Sequence, residues 1–214
     1  MKVIPREAGR ITYSTDIRKL KLLPMDSKQK AVVIGSVLGD GNLSGNWSNT
    51  NYRLRISHSV KQKKYLFWKY EVLKDFILSE PKVYERTKSI SFRTISHHQL
   101  TEFYGMFYPQ GKKVIPKNIS DLIKNPLTIA VWFMDDGNIR KTKGKVYGYY
   151  LNTQSFSLKE NKILIKALKD NFGIEAMPMK NHGRYRIYIG AKGKNSFLKI
   201  MKDFVIESMQ YKIG

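Results

Sequence analysis

Two apolar segments that each end in Asp-Gly constrain the fold of this chain more than any other feature. One covers residues 31–41 and the other covers residues 127–137. Apolar side chains surround the second segment on every side, so as a helix it has to be buried. A helix C-terminus carries about half a negative elementary charge, so the terminal aspartates, Asp40 and Asp136, need a cation nearby. Taken singly, either segment could instead be a buried strand that enters an Asp-Gly turn.

The sequence that follows each segment is repeated as well. His58 lies eighteen positions after Asp40, and Gln154 lies eighteen positions after Asp136. Each is followed by a helical pattern of apolar residues with matching phase. The pattern consists of Phe67, Trp68, Val72 and Phe76 in the first copy and of Ile163, Leu164, Leu168 and Phe172 in the second. A unit of about ninety-six residues is therefore present twice, and the first helices of the two units should pack on each other.

Each unit reads as helix, two strands, helix, two strands, helix. Strands are indicated where apolar and basic residues alternate, as in residues 52–57 and 184–189. We predict an α+β fold of two pseudo-symmetric αββαββα repeats, packed through their first helices, with antiparallel sheets that form a curved saddle. The predicted boundaries are an irregular basic arm over 1–26, a first repeat over 27–110, a linker over 111–125 and a second repeat over 126–214.

Glycine, asparagine and proline set the other boundaries. The glycines and asparagines that follow Gly41 predict a loop before the strand at residue 52. One amphipathic helix is predicted over residues 62–78, ahead of Pro81. A strand over residues 145–153 is predicted to follow the second buried helix.

The charge of the chain predicts the class of its partner. Its 214 residues include 39 Lys and Arg against 17 Asp and Glu, a net charge of +22, and such a field attracts nucleic acid. A basic membrane-surface protein would need a strongly amphipathic basic helix or a lipidation signal, and neither is present. No apolar run reaches the ~20 residues of a membrane span, and the polar start is unlike a secretory leader. We expect the protein in its compartment of synthesis, a bacterial or archaeal cytoplasm or an organelle such as a mitochondrion or chloroplast.

The lack of cysteine, with only four histidines, indicates that any bound metal is held by oxygen. Oxygen ligands favour Mg²⁺ or a similar hard ion such as Mn²⁺. Asp40 and Asp136, set side by side, would repel each other without cations, whereas Mg²⁺ would turn the pair into a clamp for phosphate. One ion can generate the attacking hydroxide while another stabilises the leaving oxygen.

Four further residues are candidates for the chemistry of phosphodiester cleavage. Lys113 and Lys212 lie 73 and 76 residues after the two aspartates and could stabilise charge on the transferring phosphorus. The alternative is that they are two lysines among many. His58 and Gln154 could position the attacking water, and the alternative for them is a structural polar residue at a strand end.

Arginines alternate with apolar residues on strands of both repeats and are candidates for DNA contacts. Base-edge or phosphate contacts from β-ribbons in the major groove would use such residues. A solvated surface is the usual explanation for any single one of them, but the recurrence of the pattern in both repeats, together with the excess of positive charge, favours DNA. The candidates are Arg53, Arg55, Arg93, Arg184 and Arg186.

These residues resemble the LAGLIDADG homing endonucleases, specifically the single-chain, two-repeat branch that includes the mitochondrial omega-intron endonuclease. The family motif is matched by Val33–Gly41 and by Ile129–Gly137. The similarity extends to Lys112–Pro116, Leu151–Phe156 and Met209–Ile213 and covers nearly everything from about residue 28 onward.

The sequence departs from the family pattern at two pairs of positions. Leu38 and Met134 replace the first acidic residue of the consensus, as is common in this branch. Val131 and Trp132 are bulkier than the residues that pack the helix pair in the family, so the resemblance does not fix the spacing of the two helices.

The resemblance implies a role for each candidate. Asp40 and Asp136 would be metal-binding catalytic acids assisted by the main-chain carbonyls of Gly39 and Asp135, Lys113 and Lys212 would be active-site lysines, and His58 and Gln154 would organise water. The implied activity is metal-dependent double-strand cleavage of a long, weakly symmetric DNA site by a monomer, leaving short 3′ overhangs and serving intron homing. The alternatives are a maturase that binds its own intron RNA and a DNA-binding regulator on the same scaffold.

Overall fold

The computed structural model describes residues 15–46 and 50–214. After a short helix, α1 (Thr15–Leu22), the first repeat contains three helices and four strands. In chain order these are α2 (Ser27–Leu38), β1 (Asn42–Gly45), β2 (Tyr52–Ser59), α3 (Lys63–Val72), β3 (Lys82–Tyr84), β4 (Ser89–Arg93) and α4 (His98–Phe107).

The second repeat has the same order of elements. A four-residue helix, α5 (Ile119–Leu122), lies in the connection that precedes it. Its elements are α6 (Pro126–Asp136), β5 (Gly137–Thr142), β6 (Lys145–Leu151), α7 (Leu158–Phe172), β7 (Met177–Asn181), β8 (Arg184–Ile189) and α8 (Ala191–Phe204), and a 3₁₀ helix, Glu207–Lys212, follows. The predicted α+β class with two αββαββα repeats is confirmed.

Each repeat forms one four-stranded antiparallel sheet, with strand orders β1-β2-β4-β3 and β5-β6-β8-β7. The two orders are equivalent, so the sequence repeat is also a repeat of topology. Among the helices of the described residues, none is long and apolar enough to cross a membrane.

Several predicted boundaries are wrong. Residues 15–22 of the arm predicted to be irregular form α1, and the short strand β1 lies in the predicted loop after Gly41. The predicted element order has two strands after α6, but residues were assigned only to the second of them, and the first, β5, continues directly from α6. The helix predicted over residues 62–78 ends at Val72 and is followed by a 3₁₀ turn. The short strands escape the pattern because they are partly exposed and carry few apolar residues.

The helices α2 and α6 pack against each other in parallel. At their N-terminal ends, the Asn125 side chain caps α6 and donates a hydrogen bond to the Ser27 hydroxyl at 3.1 Å. At their C-terminal ends, Gly39 lies so near Asp135 that a Cβ added to it would be 2.4 Å from the Asp135 Cβ. Both helices therefore end, and present their aspartates, on the same side of the molecule.

Gly35 makes close packing of the helix pair feasible at its middle. A Cβ at this position would lie 2.6 Å from the Thr128 carbonyl oxygen and 2.7 Å from the Val131 Cβ. Val131 and Trp132 are fully buried, so their bulk is accommodated rather than left at the surface. The edge of small residues on α2 receives the larger side chains of α6.

We expect Gly35→Ala to destabilise the protein by about 1–3 kcal/mol, because the added methyl group would be too close to the backbone and the Val131 side chain of α6. The free energy of unfolding in urea measures this effect. Gly105→Ala in α4 is the matched control, because a Cβ there meets nothing within 4 Å and alanine is the better helix former. A Gly35→Ala variant as stable as the Gly105→Ala control would contradict this account of the contact between α2 and α6.

Candidate active site

The two sequence motifs end in equivalent positions on the molecule. Asp136 is the last residue of α6, and Asp40 lies two residues beyond the end of α2. The Lys113 ammonium donates a hydrogen bond to the Gly39 carbonyl oxygen at 3.2 Å, and Lys212 donates to the Asp135 carbonyl oxygen at 2.9 Å. Each lysine thus supplies positive charge at the negative end of one helix.

Burial and mutual repulsion give the two aspartates different acidities. Burial, followed by the negative charges of Asp40 and Asp135, raises the pKa of Asp136 to about 7. The adjacent imidazole of His58 is the main cause that lowers the pKa of Asp40 below its ordinary value. The charge of Asp40 acts on Asp136, so the two carboxyl groups lie in the same part of the molecule.

The residues predicted to position water have different surroundings. The His58 ring is buried, and its Nδ1 lies 3.5 Å from the nearer carboxylate oxygen of Asp40. The Gln154 amide in the second repeat donates to the side-chain oxygen of Asn181 on β7, at 3.4 Å. His58 is thus in place beside an aspartate, whereas the hydrogen bond recorded for Gln154 goes to the second sheet.

The Asp135 side chain belongs to a buried network that the sequence did not predict. Its carboxylate accepts hydrogen bonds from the Lys69 ammonium at 2.6 and 2.8 Å and from the Tyr65 hydroxyl at 2.8 Å. Lys69 and the Asp135 side chain are completely shielded from solvent. Burial lowers the pKa of Lys69 and raises that of Tyr65 well above its ordinary range.

The groups at the ends of α2 and α6 fit a hard divalent cation. One donor atom each of Asp40, His58 and Asp135 lies within 4.8 Å of the others. Because the Asp135 carboxylate is already neutralised by Lys69, its main-chain carbonyl is the better ligand. Carboxylate and carbonyl oxygens are the donors that Mg²⁺ and Mn²⁺ prefer. Lys113 and Lys212 hydrogen bond to the carbonyls of Gly39 and Asp135, the two carbonyls of the predicted ligand set.

Three of the predicted arginines share one face of the first sheet. Arg55 on β2 is paired directly with Arg93 on β4, and Arg53 lies two residues away on the same face of β2. Desolvation, and then the charges of Arg93 and Arg55, lower the pKa of Arg53. Like charges this close are unfavourable alone, so the face suits a polyanionic partner.

The second sheet carries arginines that stack on tyrosines. The Arg186 guanidinium lies 3.6 Å from the centre of the Tyr150 ring, and the Arg140 guanidinium lies 5.2 Å from that of Tyr188. Arg184, the first residue of β8, is exposed. Arg140 was not predicted, because its contact with Tyr188 on β8 depends on the position of strand β5, to which the sequence analysis assigned no residues.

The chain is similar to known proteins over most of its length. It is 29% identical over 213 residues to the DNA endonuclease I-ChuI of Chlamydomonas applanata, covering 90% of this chain and 97% of that protein. It is 28% identical to the cytochrome b mRNA maturase bI2 of Debaryomyces hansenii, covering 89% of this chain and 75% of that protein.

A solved structure shows the same architecture. The homing endonuclease I-WcaI bound to its DNA recognition sequence superposes with a TM-score of 0.87 and 25% identity, covering 97% of this chain and 96% of that chain. Residues 30–197 match the family model of the LAGLIDADG DNA endonucleases. Since this match spans more than half of the chain, the protein is a member of the LAGLIDADG DNA endonuclease family.

Proposed function

We propose that the protein is a site-specific endonuclease that makes a metal-dependent double-strand break in a long DNA target and leaves short 3′ overhangs. The observation that carries the proposal is the joint placement of Asp40 and Asp136 where two parallel helices end, each helix end contacted by a lysine. The endonuclease names of relatives and the DNA-bound structure of I-WcaI support it.

In this proposal the carboxylates of Asp40 and Asp136 hold Mg²⁺ or Mn²⁺ together with the carbonyl oxygens of Gly39 and Asp135. When bound, the ions would supply an activated water and stabilise the leaving oxygen. Lys113 and Lys212 place positive charge beside the scissile phosphates. The lowered pKa of each lysine, caused by burial, leaves its proton easier to give up at this site than at the surface.

The remaining predicted residues orient water and DNA. His58, beside Asp40, positions the attacking water in the first half of the site, and Gln154 does so in the second half. Arg53, Arg55, Arg93, Arg184 and Arg186 contact bases and phosphates from the two sheets. One chain carries both halves, so it acts as a monomer.

The direct test uses the DNA on both sides of the gene. If the gene lies in an intron, the joined flanking exons are the predicted substrate, because homing requires a target that the intron interrupts. Incubating this junction with the protein and Mg²⁺ should give one double-strand break with 3′ overhangs, read by sequencing the ends. If the junction remained uncleaved after prolonged incubation with Mg²⁺ and also with Mn²⁺, the proposal would be overturned.

The raised pKa of Asp136 predicts how the stability of the metal-free protein changes with pH. Its value of about 7 lies above the ordinary 3.8, so the folded state binds this proton more tightly than the unfolded chain does. The contribution to stability is therefore fully present below pH 4 and is lost as pH rises to about 7. One pKa unit corresponds to about 1.4 kcal/mol, so the expected loss is a few kcal/mol.

Thermal unfolding of the wild type in the presence of a chelator, measured between pH 4 and 8, checks this decrease of stability with rising pH. The Asp136→Asn variant is the matched control and should lack the contribution, since it has no proton to lose. Mg²⁺ should restore stability chiefly above pH 7, where the cation no longer competes with the proton. Equal slopes for the two proteins would contradict the assigned pKa.

A second candidate function is RNA-binding maturase activity on the same scaffold. It is favoured by the similarity to the maturase bI2, which is almost as strong as that to the endonuclease I-ChuI. A maturase would promote splicing of its own intron RNA and would not need the acidic pair. Splicing of that RNA by an Asp40→Asn/Asp136→Asn double variant, with no cleavage of the exon junction by the wild type, would favour the maturase.

A further inference from the structure

The two halves of the active site are not equivalent, although the repeats that build them are. Asp135 stands at the position that Gly39 occupies in the first motif, ninety-six residues earlier. The same offset relates Lys69 in α3 to Ile165 in α7, which has no charge. Only the first half of the described site therefore contains a buried ion pair between a lysine and a carboxylate.

This ion pair crosses the boundary between the repeats. Lys69 belongs to α3 of the first repeat, and Asp135 belongs to α6 of the second. Tyr65 donates to the same carboxylate and also to the Val131 carbonyl oxygen at 3.2 Å. Its counterpart Asn161 instead bonds to groups within the second repeat. The Asp135 carboxylate is therefore held rigidly, by donors from the other repeat.

His58 lies between this ion pair and the catalytic carboxylate of Asp40. Its Nε2 is 3.4 Å from the Lys69 ammonium and 3.7 Å from the nearer carboxylate oxygen of Asp135. Its Nδ1, on the opposite side of the ring, is 3.5 Å from the Asp40 carboxylate. The Tyr65 ring packs beside it, with 5.1 Å between ring centres. One nitrogen thus faces the network and the other faces the site.

We propose that Lys69, through its ion pair with Asp135, is a positioning residue that fixes the orientation of His58 against Asp40. The inference rests on the proposed endonuclease function and deepens it, because it makes the two strand cleavages unequal. The strand cut in the half that contains His58 depends on Lys69. The strand cut in the half that contains Gln154 does not, since that half has no such network.

The experiment measures the cleavage of each strand separately. A duplex of the exon junction carries a different fluorophore at each 5′ end, and single-turnover nicking of both strands is followed with excess protein and Mg²⁺. Lys69→Met should slow one strand by about 10- to 100-fold, the usual effect of removing a residue that orients a ligand or catalytic group. The rate on the other strand should stay close to that of the wild type.

Two further variants separate positioning from folding. Lys69→Met leaves a buried carboxylate unpaired, so Lys69→Met/Asp135→Asn removes both charges together and keeps the Asp135 carbonyl. It should show the same loss on the same strand. Ile165→Met introduces the same residue at the equivalent place in the second repeat and should leave both rates unchanged. Equal slowing of both strands by the double variant, or slowing of neither, would overturn the proposal.

The dependence on His58 is tested by combining substitutions. His58→Ala should slow the same strand as Lys69→Met, and adding Lys69→Met to His58→Ala should cause little further loss, because both changes remove one function. If the two substitutions reduced the cleavage rate by independent factors that multiply, Lys69 would act without His58, and the inference would be contradicted.

A measurement without DNA distinguishes failure of this inference from failure of the proposed function. In the wild type, NMR should show a cross-relaxation peak between the ring protons of His58 and Tyr65, whose ring centres are 5.1 Å apart. The peak should be lost in Lys69→Met/Asp135→Asn and kept in Ile165→Met. A peak retained in the double variant would refute the positioning role, whereas an inactive wild type with the expected NMR result would refute only the endonuclease function.

Discussion

We expect Asp40→Asn and Asp136→Asn each to lower the rate of double-strand cleavage by about 10²- to 10³-fold, the usual effect of removing one group that stabilises charge in the transition state. Asparagine has nearly the size of aspartate but lacks its charge, so the change replaces an anionic metal ligand by a weaker neutral one with little effect on packing. In Asp136→Asn the repulsion from Asp40 also disappears, and the variant should fold at least as well as the wild type. The loss is therefore catalytic. Cleavage of the exon junction under single-turnover conditions measures it.

DNA binding should survive both substitutions. The substitutions leave the arginines of the two sheets unchanged, and fewer negative charges reduce repulsion of the phosphate backbone. A gel-shift titration should therefore show affinity equal to or higher than that of the wild type. The matched control is Asp121→Asn, because the Asp121 side chain is exposed and pairs only with Lys124 among the described residues. Full cleavage by either active-site variant would remove the basis for the metal mechanism.

The architecture could be predicted because repetition constrains the chain strongly. A helix that is apolar on all sides needs a partner, and the second copy of the unit supplies one. In the structure, Gly35 and Gly39 allow the second helix to approach α2 closely. Asp40 and Asp136 could be located for the same reason, since each ends a buried helix and both helices run in the same direction.

The buried ion pair could not be predicted, because the phase of α3 was misjudged. The sequence pattern placed Phe67, Trp68 and Val72 on the buried face, yet all three are partly exposed. The fully buried residues of this helix include Tyr65, Leu66 and Lys69 instead. Lys69 lies three residues after Leu66 and four before the buried Leu73, so it follows the spacing of a buried face. A lysine at that spacing was the missed signal.

The proposed DNA-binding surface was only partly predictable, because strand register depends on contacts that the alternation of apolar and basic residues does not encode. Arg55 and Arg93 could be assigned to exposed faces, but only the structure pairs them directly. Arg140 faces Tyr188 across β6, and neither was proposed as a DNA contact. Short strands with mostly polar residues resemble loops in sequence, and the residues that they carry are then overlooked.

The net charge of +22 and the two arginine faces predict strong salt dependence of DNA binding. Each phosphate that a lysine or arginine neutralises releases condensed counterions, so the affinity falls steeply as salt rises. For about six to ten phosphate contacts, the equilibrium constant should fall by about 10³- to 10⁵-fold between about 50 and 200 mM salt. Fluorescence anisotropy with the labelled exon junction gives this slope directly.

Substitution of single arginines tests whether the arginine-bearing faces of the two sheets cause this salt dependence of DNA affinity. If Arg55 contacts a phosphate, Arg55→Gln should reduce the slope of log affinity against log salt concentration by about one. If Arg55 instead contacts a base, the slope should stay the same, and discrimination against a changed base pair should fall. Lys166→Gln on the exposed side of α7 is the control and should change neither quantity. A nearly flat titration of the wild type would mean that few phosphates are contacted, and a long DNA footprint across both sheets would then be excluded.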